Sequence, residues 1–194
     1  MEIYLIRHTT PDIETGTCYG QTDLDTVKSF KDEAEIIARY LPGHIQHVFS
    51  SPLQRCRKLT DFLFPGHSIE FKDNLKEIDC GDWELKKWND IPKEILNPWM
   101  KEFVNSPFPN GESYIQFYQR VIDQFEMIVQ RYNGAIAIVS HGGVMRSILS
   151  CITNTSLQDS FDRFKIPYGC VVKISNEEFD WRYNVLSVSI SPKL

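Results

Sequence analysis

The sequence predicts an α/β fold, a three-layer α/β/α sandwich around a mostly parallel central sheet with an antiparallel edge. Three observations carry this. Short apolar runs alternate with amphipathic runs of helical period, an order that feeds parallel strands through helical crossovers. The last two strand candidates follow one another with little but "NEEFDWRY" between them, which suggests a hairpin and so an antiparallel edge. The 194 residues, 42% of them hydrophobic and 12% aromatic, suit one domain with a real core, here read as spanning 1–194.

Each element follows from a local pattern. "EIYLI" (2–6) reads as a buried strand. Val27, Phe30, Ala34, Ile37 and Leu41 then fall at helical spacing until Pro42-Gly43 ends the run. After the strand "HVFSS" (47–51) a helix beginning at Pro52 repeats the pattern with Leu53, Cys56, Leu59 and Leu63, closed by Pro65-Gly66. "IEF" (69–71) is a short strand. Residues 84–110 carry four prolines and read as a partly helical excursion over the active site, as long excursions in compact domains often are. Ser113 with Gln116 forms a capping box for a long helix whose apolar face is Phe117, Val121, Phe125 and Ile128. Asn133-Gly134 stops it before the most hydrophobic strand, "AIAIVS" (135–140), and "GCVVKIS" (169–175) and "NVLSVSI" (184–190) complete the sheet.

Composition removes several classes of function. A net charge of -5 argues against coating nucleic acid or an anionic membrane, both of which need a positive field. Five cysteines, odd in number, scattered and without a CxxC pair, suggest neither a disulfide framework nor a zinc site, and the expected location is the cytoplasm. Arg7 and His8 interrupt the only hydrophobic stretch near the start, and no window reaches membrane-spanning length.

In open α/β sheets, ligands bind outside the carboxyl ends of the strands. Four polar stretches fall there. Arg7-His8 follows the first strand, and "SSPLQRCRK" puts Arg55, with Arg57 or Lys58, on the first turns of a helix. "LKEIDCGDWE" supplies Glu77, Asp79, Asp82 and Glu84, and "IVSHGGVMR" runs from a strand through His141-Gly142-Gly143 into a helix. Arginine forks bind phosphate bidentately, and free N–H groups at a helix start add donors for an anion. A neutral imidazole can attack phosphorus and form a covalent phosphoryl intermediate, while a carboxylic acid protonates the leaving alkoxide and later activates water. Each stretch alone has an ordinary surface or core explanation; the four together, all at strand ends, point to phosphate chemistry.

These residues resemble a known family. "LIRHTTP", "SSPLQRCRKL", "LKEIDCGDWE" and "IVSHGG" are similar, in order and spacing, to the signature stretches of the histidine phosphatase, or phosphoglycerate mutase-like, superfamily. The resemblance implies a phosphoglycerate mutase-like fold and a small-molecule phosphomonoester substrate, with no metal and no cofactor. Carried over, His8 is the phosphorylated nucleophile, Arg7, Arg55 and His141 form the phosphate pocket with Gly142, and Glu77 is the proton donor. Most of the superfamily reads Arg-His-Gly where this chain has Thr9. In the family that residue offers a backbone carbonyl that fixes the imidazole tautomer, which any residue can supply if its backbone fits.

Thr9 also points to a subgroup. Arg-His-Thr followed by Cys18-Tyr19-Gly20-Gln21-Thr22-Asp23 resembles the α-ribazole phosphatases of cobalamin biosynthesis, and the resemblance adds Tyr19, Gln21 and Thr22 to the substrate-binding residues. Trp83, Trp88, Trp99 and Phe103, in or beside the excursion, would suit stacking on a base-like leaving group or would serve as core. A broad-specificity or sugar-phosphate phosphatase, a mutase, and a catalytically weak phospho-ligand binding protein are the rival readings. Mutases of the family keep basic groups in a longer insertion, and pure binding needs the arginines but neither His8 nor Glu77. Neither nucleic acid nor membrane is an expected partner, and oligomeric state stays open between a monomer and a homodimer.

Overall fold

The structure, a computed structural model, describes residues 1–177 and 180–187. Its sheet has six strands: β1 (Glu2–Arg7), β2 (His47–Ser50), β3 (Ile69–Phe71), β4 (Ala135–Ser140), β5 (Val171–Glu177) and β6 (Asp180–Val185), ordered β3-β2-β4-β1-β5-β6. β1, β2, β3 and β4 run parallel, whereas β5 is antiparallel to β1 and β6 to β5. The helices are α1 (Phe30–Ala38), α2 (Gln54–Leu63), α3 (Lys93–Lys101), α4 (Tyr114–Arg131), α5 (Gly142–Thr153) and the short α6 (Ser160–Arg163).

The two-residue period of a strand builds the layers. Ile3 and Leu5 of β1, with Ile136 and Ile138 of β4, face a core filled by Phe117 and Val121 of α4 and Val144 and Ile148 of α5. Tyr4 and Ile6, with Ala137 and Val139, face the opposite core, filled by Ala34 and Ile37 of α1 and Cys56 and Leu59 of α2. Helices therefore cover both faces of the central strands, which is why these strands read as continuous apolar runs. Each fully buried aliphatic side chain contributes roughly 1.5–3 kcal/mol.

The predicted capping box is present. The Ser113 hydroxyl accepts from the Gln116 amide at 3.3 Å, and the Gln116 side chain accepts from the Ser113 amide at 2.9 Å. Other boundaries shift for identifiable reasons. The helix expected over 27–41 is shorter at both ends because Val27 and Leu41 sit in three-residue turns, Phe30 N–H to Val27 C=O and Leu41 N–H to Ala38 C=O. α2 begins at Gln54 and not at Pro52, since Leu53 is still extended. β5 begins at Val171, after a turn at Gly169 with φ of 68°.

The last strand lies earlier than 184–190. β6 pairs from Glu177↔Asp180 to Val172↔Val185, so "DWRY", read as a connection, is strand. It is a mostly exposed edge strand, where polar side chains face water and alternation is lost. Residues 188–190 lie outside the described residues.

The excursion has a small core of its own. Trp83, Ile91 and Phe108 are buried with Cys18 and Cys80, and Trp88 and Trp99 pack against them. Ring centroids of Trp99 lie 4.5 Å from Phe108 and 5.1 Å from Trp83. Of the two roles expected for the tryptophans, the packing one describes this cluster. Among the described residues no helix is long and apolar enough to cross a membrane.

Candidate active site

β1 and β4 are neighbours in the sheet, yet the helices that follow them pack on opposite faces, α1 on one and α5 on the other. The chain thus parts at their carboxyl ends and leaves a crevice there. His8 follows β1 and His141 follows β4. The His8 amide donates to Ser140 C=O at 3.0 Å, and its carbonyl accepts from Gly169 N–H at 3.1 Å, so its backbone is locked to β4 and to the turn that enters β5.

His8 is buried, and its Nδ1 lies 2.7 Å from the carbonyl of Thr9. A carbonyl only accepts, so this contact assigns the proton to Nδ1 and leaves Nε2 with a free lone pair. Thr9 thereby meets the backbone requirement attached to its position. Burial, then the charges of Arg55 and Arg7, hold the His8 pKa well below the ordinary imidazole value. His141 is buried as well, with its ring centroid 5.1 Å from that of His8 and Nε2 2.8 Å from the Ser51 hydroxyl. Its pKa is lowered by burial first and then by Arg55 and His8. The Cys56 Sγ sits 3.5 Å from His141 Nε2, and burial pushes its thiol up to about 12.

Two guanidinium groups face this pair. Arg55 is fully buried, and its two terminal nitrogens donate to Thr22 C=O and Gly20 C=O, each at 2.8 Å. Arg7 donates to Ile166 C=O at 2.5 Å and lies 4.0 Å above the Tyr168 ring. The Nε atoms of both arginines are buried without a partner among the described residues, which makes them donors available to an anion.

Paired glycines bring the helix start up to these groups. A Cβ at Gly142 would meet Arg7 Cζ at 3.3 Å, and a Cβ at Gly143 would lie 2.3 Å from Glu77 Oε1. Gly143 N–H instead donates to Glu77 Oε2 at 3.1 Å, setting the carboxylate on the N-terminus of α5. Arg120 of α4 holds the segment bearing it, donating to Glu77 C=O at 2.9 Å and Lys76 C=O at 3.0 Å while paired with Glu112.

Arg7, His8, Arg55, Glu77, His141 and Gly142, far apart in sequence, thus come together at one sheet edge. Tyr19 lies over Arg55 at 5.3 Å and hydrogen-bonds Tyr168 at 2.9 Å. Thr22 meets Arg55 through its carbonyl, while its hydroxyl and amide, like the amide of Gln21, are donated to Glu84. Arg57 stacks on Phe71 and Lys58 pairs with Asp25, which leaves Arg55 as the arginine of that helix in the cluster. Among the described residues no group of three or more His, Cys, Asp or Glu could hold a metal ion.

Sequence reasoning missed Tyr168, Ser51 and Arg146. Tyr168, 5.6 Å from His8 between ring centroids, could have been found from the antiparallel edge. A strand running against β1 presents its entry loop, here residues 164–170, at the carboxyl end of β1. Ser51 is only a strand-end serine in the sequence, where nothing ties it to His141. Arg146 sits one turn along α5, where its Nη1 would lie 3.5 Å from a Cβ at Gly142.

Comparisons with known proteins bear on the family and the fold. The metal-independent phosphoserine phosphatase of Arabidopsis thaliana is 29% identical over 167 residues, covering 80% of this chain and 70% of that one. The α-ribazole phosphatase of Shigella flexneri superposes with a TM-score of 0.88 at 22% identity, covering all of both chains. A phosphoserine phosphatase of Entamoeba histolytica, a variant solved with phosphoserine, superposes with a TM-score of 0.80 at 17% identity, covering 96% of each chain. The sheet order and flanking helices are those of the phosphoglycerate mutase-like fold. The model of the histidine phosphatase superfamily (branch 1) matches residues 3–189, and the chain belongs to that superfamily.

Proposed function

We propose that the chain is a metal-independent phosphomonoesterase that works through a phosphohistidine on His8. The observation that carries this is the single contact from His8 Nδ1 to Thr9 C=O, which points a neutral, unprotonated Nε2 away from the backbone in a pocket with Arg7 and Arg55. In the first step His8 Nε2 attacks phosphorus, the P–O bond to the leaving group breaks, and Glu77 gives the departing alkoxide a proton. In the second, Glu77 takes a proton from water, whose oxygen attacks the phosphohistidine and releases inorganic phosphate. Arg7, Arg55, His141 and the Gly142 amide at the start of α5 hold the phosphoryl oxygens, and as donors fixed beforehand they stabilise the charge that develops.

For the leaving group, the α-ribazole reading rests on the Cys18–Asp23 stretch and on a cleft beside the pocket. Thr10, Ile13, Glu14, Gly16, Tyr19 and Tyr168 are among its lining residues, a partly aromatic wall whose one carboxylate, Glu14, is paired with Lys87, and it suits a base-bearing alcohol. A second reading, a carboxylate-bearing substrate such as phosphoserine, is favoured by Arg146. Its Nε donates to Phe164 C=O at 3.2 Å, and its two Nη atoms have no hydrogen-bond partner among the described residues.

Single-turnover rates on α-ribazole 5′-phosphate, phosphoserine, 3-phosphoglycerate and a sugar phosphate decide between them. Fastest turnover of phosphoserine, lost in Arg146→Ala, would replace the first reading by the second. The chemistry itself is tested by brief mixing with labelled aryl phosphate. An acid-labile, alkali-stable phosphoprotein that forms in the presence of a chelator is expected, and its absence would overturn the mechanism.

A further inference from the structure

Arg55 has the most demanding position in the pocket, since it is fully buried and its direction is set by two backbone carbonyls, those of Gly20 and Thr22. Carbonyls aim a guanidinium only as well as their own turn is held. That turn carries a backbone hydrogen bond, Thr22 N–H to Tyr19 C=O at 2.8 Å, and its amides also converge on one side chain. Glu84 Oε1 accepts from Gln21 N–H at 2.7 Å and Cys80 N–H at 3.2 Å, while Oε2 accepts from Thr22 N–H at 2.6 Å and from the Thr22 hydroxyl. Gly20 is held at a φ of 35°, and a Cβ there would lie 2.4 Å from Glu84 Oε1 and 2.6 Å from Ile78 C=O. The turn is therefore pressed directly onto the carboxylate.

We infer that Glu84 is a positioning residue that fixes the phosphate-binding direction of Arg55 through the turn at 20–22. The inference rests on the reading of Arg55 as a phosphate ligand. The link is short: carboxylate to the amides of Gln21 and Thr22, and carbonyls of Gly20 and Thr22 to the guanidinium. A carboxylate is suited to this because it accepts several hydrogen bonds at once, and charge strengthens each of them. Gln at this position keeps the shape, but its NH2 end faces donors and halves the accepting capacity. The same carboxylate binds the Cys80 amide, so it also joins the turn to the segment 77–84 that bears Glu77.

The test is a double-variant cycle read by inhibition by inorganic phosphate and by kcat and KM for p-nitrophenyl phosphate. Arg55→Ala alone must weaken phosphate; if it does not, Arg55 is no phosphate ligand and the inference fails with that reading. Given that loss, Glu84→Gln is expected to raise the phosphate inhibition constant and KM by about tenfold, the size expected when a binding group is displaced by a fraction of an ångström. In the Arg55→Ala background the same change should add less than about twofold, because its target is gone. Multiplicative losses would show that Glu84 acts elsewhere and overturn the inference, as would an unchanged inhibition constant in Glu84→Gln. Should Glu84→Gln fold poorly, Thr22→Val removes one of the carboxylate's partners, and an effect that again vanishes without Arg55 is the expected result.

Discussion

The carboxyl edge of β1 and β4 and the excursion at 84–110 are built in opposite ways. At the sheet edge Arg7, His8, Arg55 and His141 hang from strand ends or a helix start, Glu77 is set on the N-terminus of α5, and His8 is hydrogen-bonded to β4 and to the turn that enters β5. The excursion instead packs Trp88, Trp99 and Phe108 on one another and on Trp83 in a cluster of its own, joined to the core under α4 and α5 through Phe103 and Ile78. The phosphorus chemistry proposed for these residues tolerates little displacement, and they lie on the rigid part. The difference teaches that the cost of disturbing each region falls on a different observable.

The largest effect is expected from the rigid edge. His8→Ala should lower turnover of an aryl phosphate by at least about 10³-fold, since a nucleophile has no substitute, with the circular dichroism spectrum unchanged. Appreciable turnover in the variant would break the contrast at its strongest point. Arg55→Ala comes next, with a loss of about 10²-fold in kcat/KM. It should also lower the urea midpoint, because the Gly20 carbonyl loses its buried donor, at roughly 1–3 kcal/mol, while the Thr22 carbonyl keeps Leu24 N–H.

Both site histidines have pKa values pushed below the ordinary imidazole value in the folded chain. Between the folded and unfolded values the unfolded chain binds protons that the native chain does not, so stability rises with pH through that window. As pH falls below about 6.5, each histidine should remove up to about 1.4 kcal/mol per pH unit, and nothing above it. Urea midpoints at pH 7.5 and 5.5 check this, and His141→Asn should reduce the slope by about half. The smallest effect on chemistry is expected in the excursion. Trp99→Ala should cost roughly 2 kcal/mol locally, seen as faster hydrogen exchange over 88–103, while turnover of p-nitrophenyl phosphate changes less than about threefold. A large loss of turnover would show that the two regions are not separable.

The same contrast decides what could be read beforehand. The sheet edge was legible because strand ends and helix starts have strong local signals: the apolar run into Arg7-His8, the capping box at Ser113, the glycines after His141. The excursion was legible only as irregular, since its four prolines break every period and its packing depends on partners such as Cys18 that lie far away in sequence. Tyr168 escaped, as did the part that Glu84 plays, for a related reason. One reaches the site by the reversal of β5, and the other acts on backbone amides, which leave no mark on residue type.

The thiol of Cys56 has a consequence for the life of the protein under oxidative stress. A sulfur 3.5 Å from a site histidine would ordinarily be a point of attack, but only a thiolate reacts readily, and this one is held as thiol to about pH 12. Peroxides and alkylating reagents therefore find no nucleophilic sulfur at the centre of the site. The proposed reaction depends on nitrogen, and the environment of that nitrogen keeps the neighbouring sulfur inert.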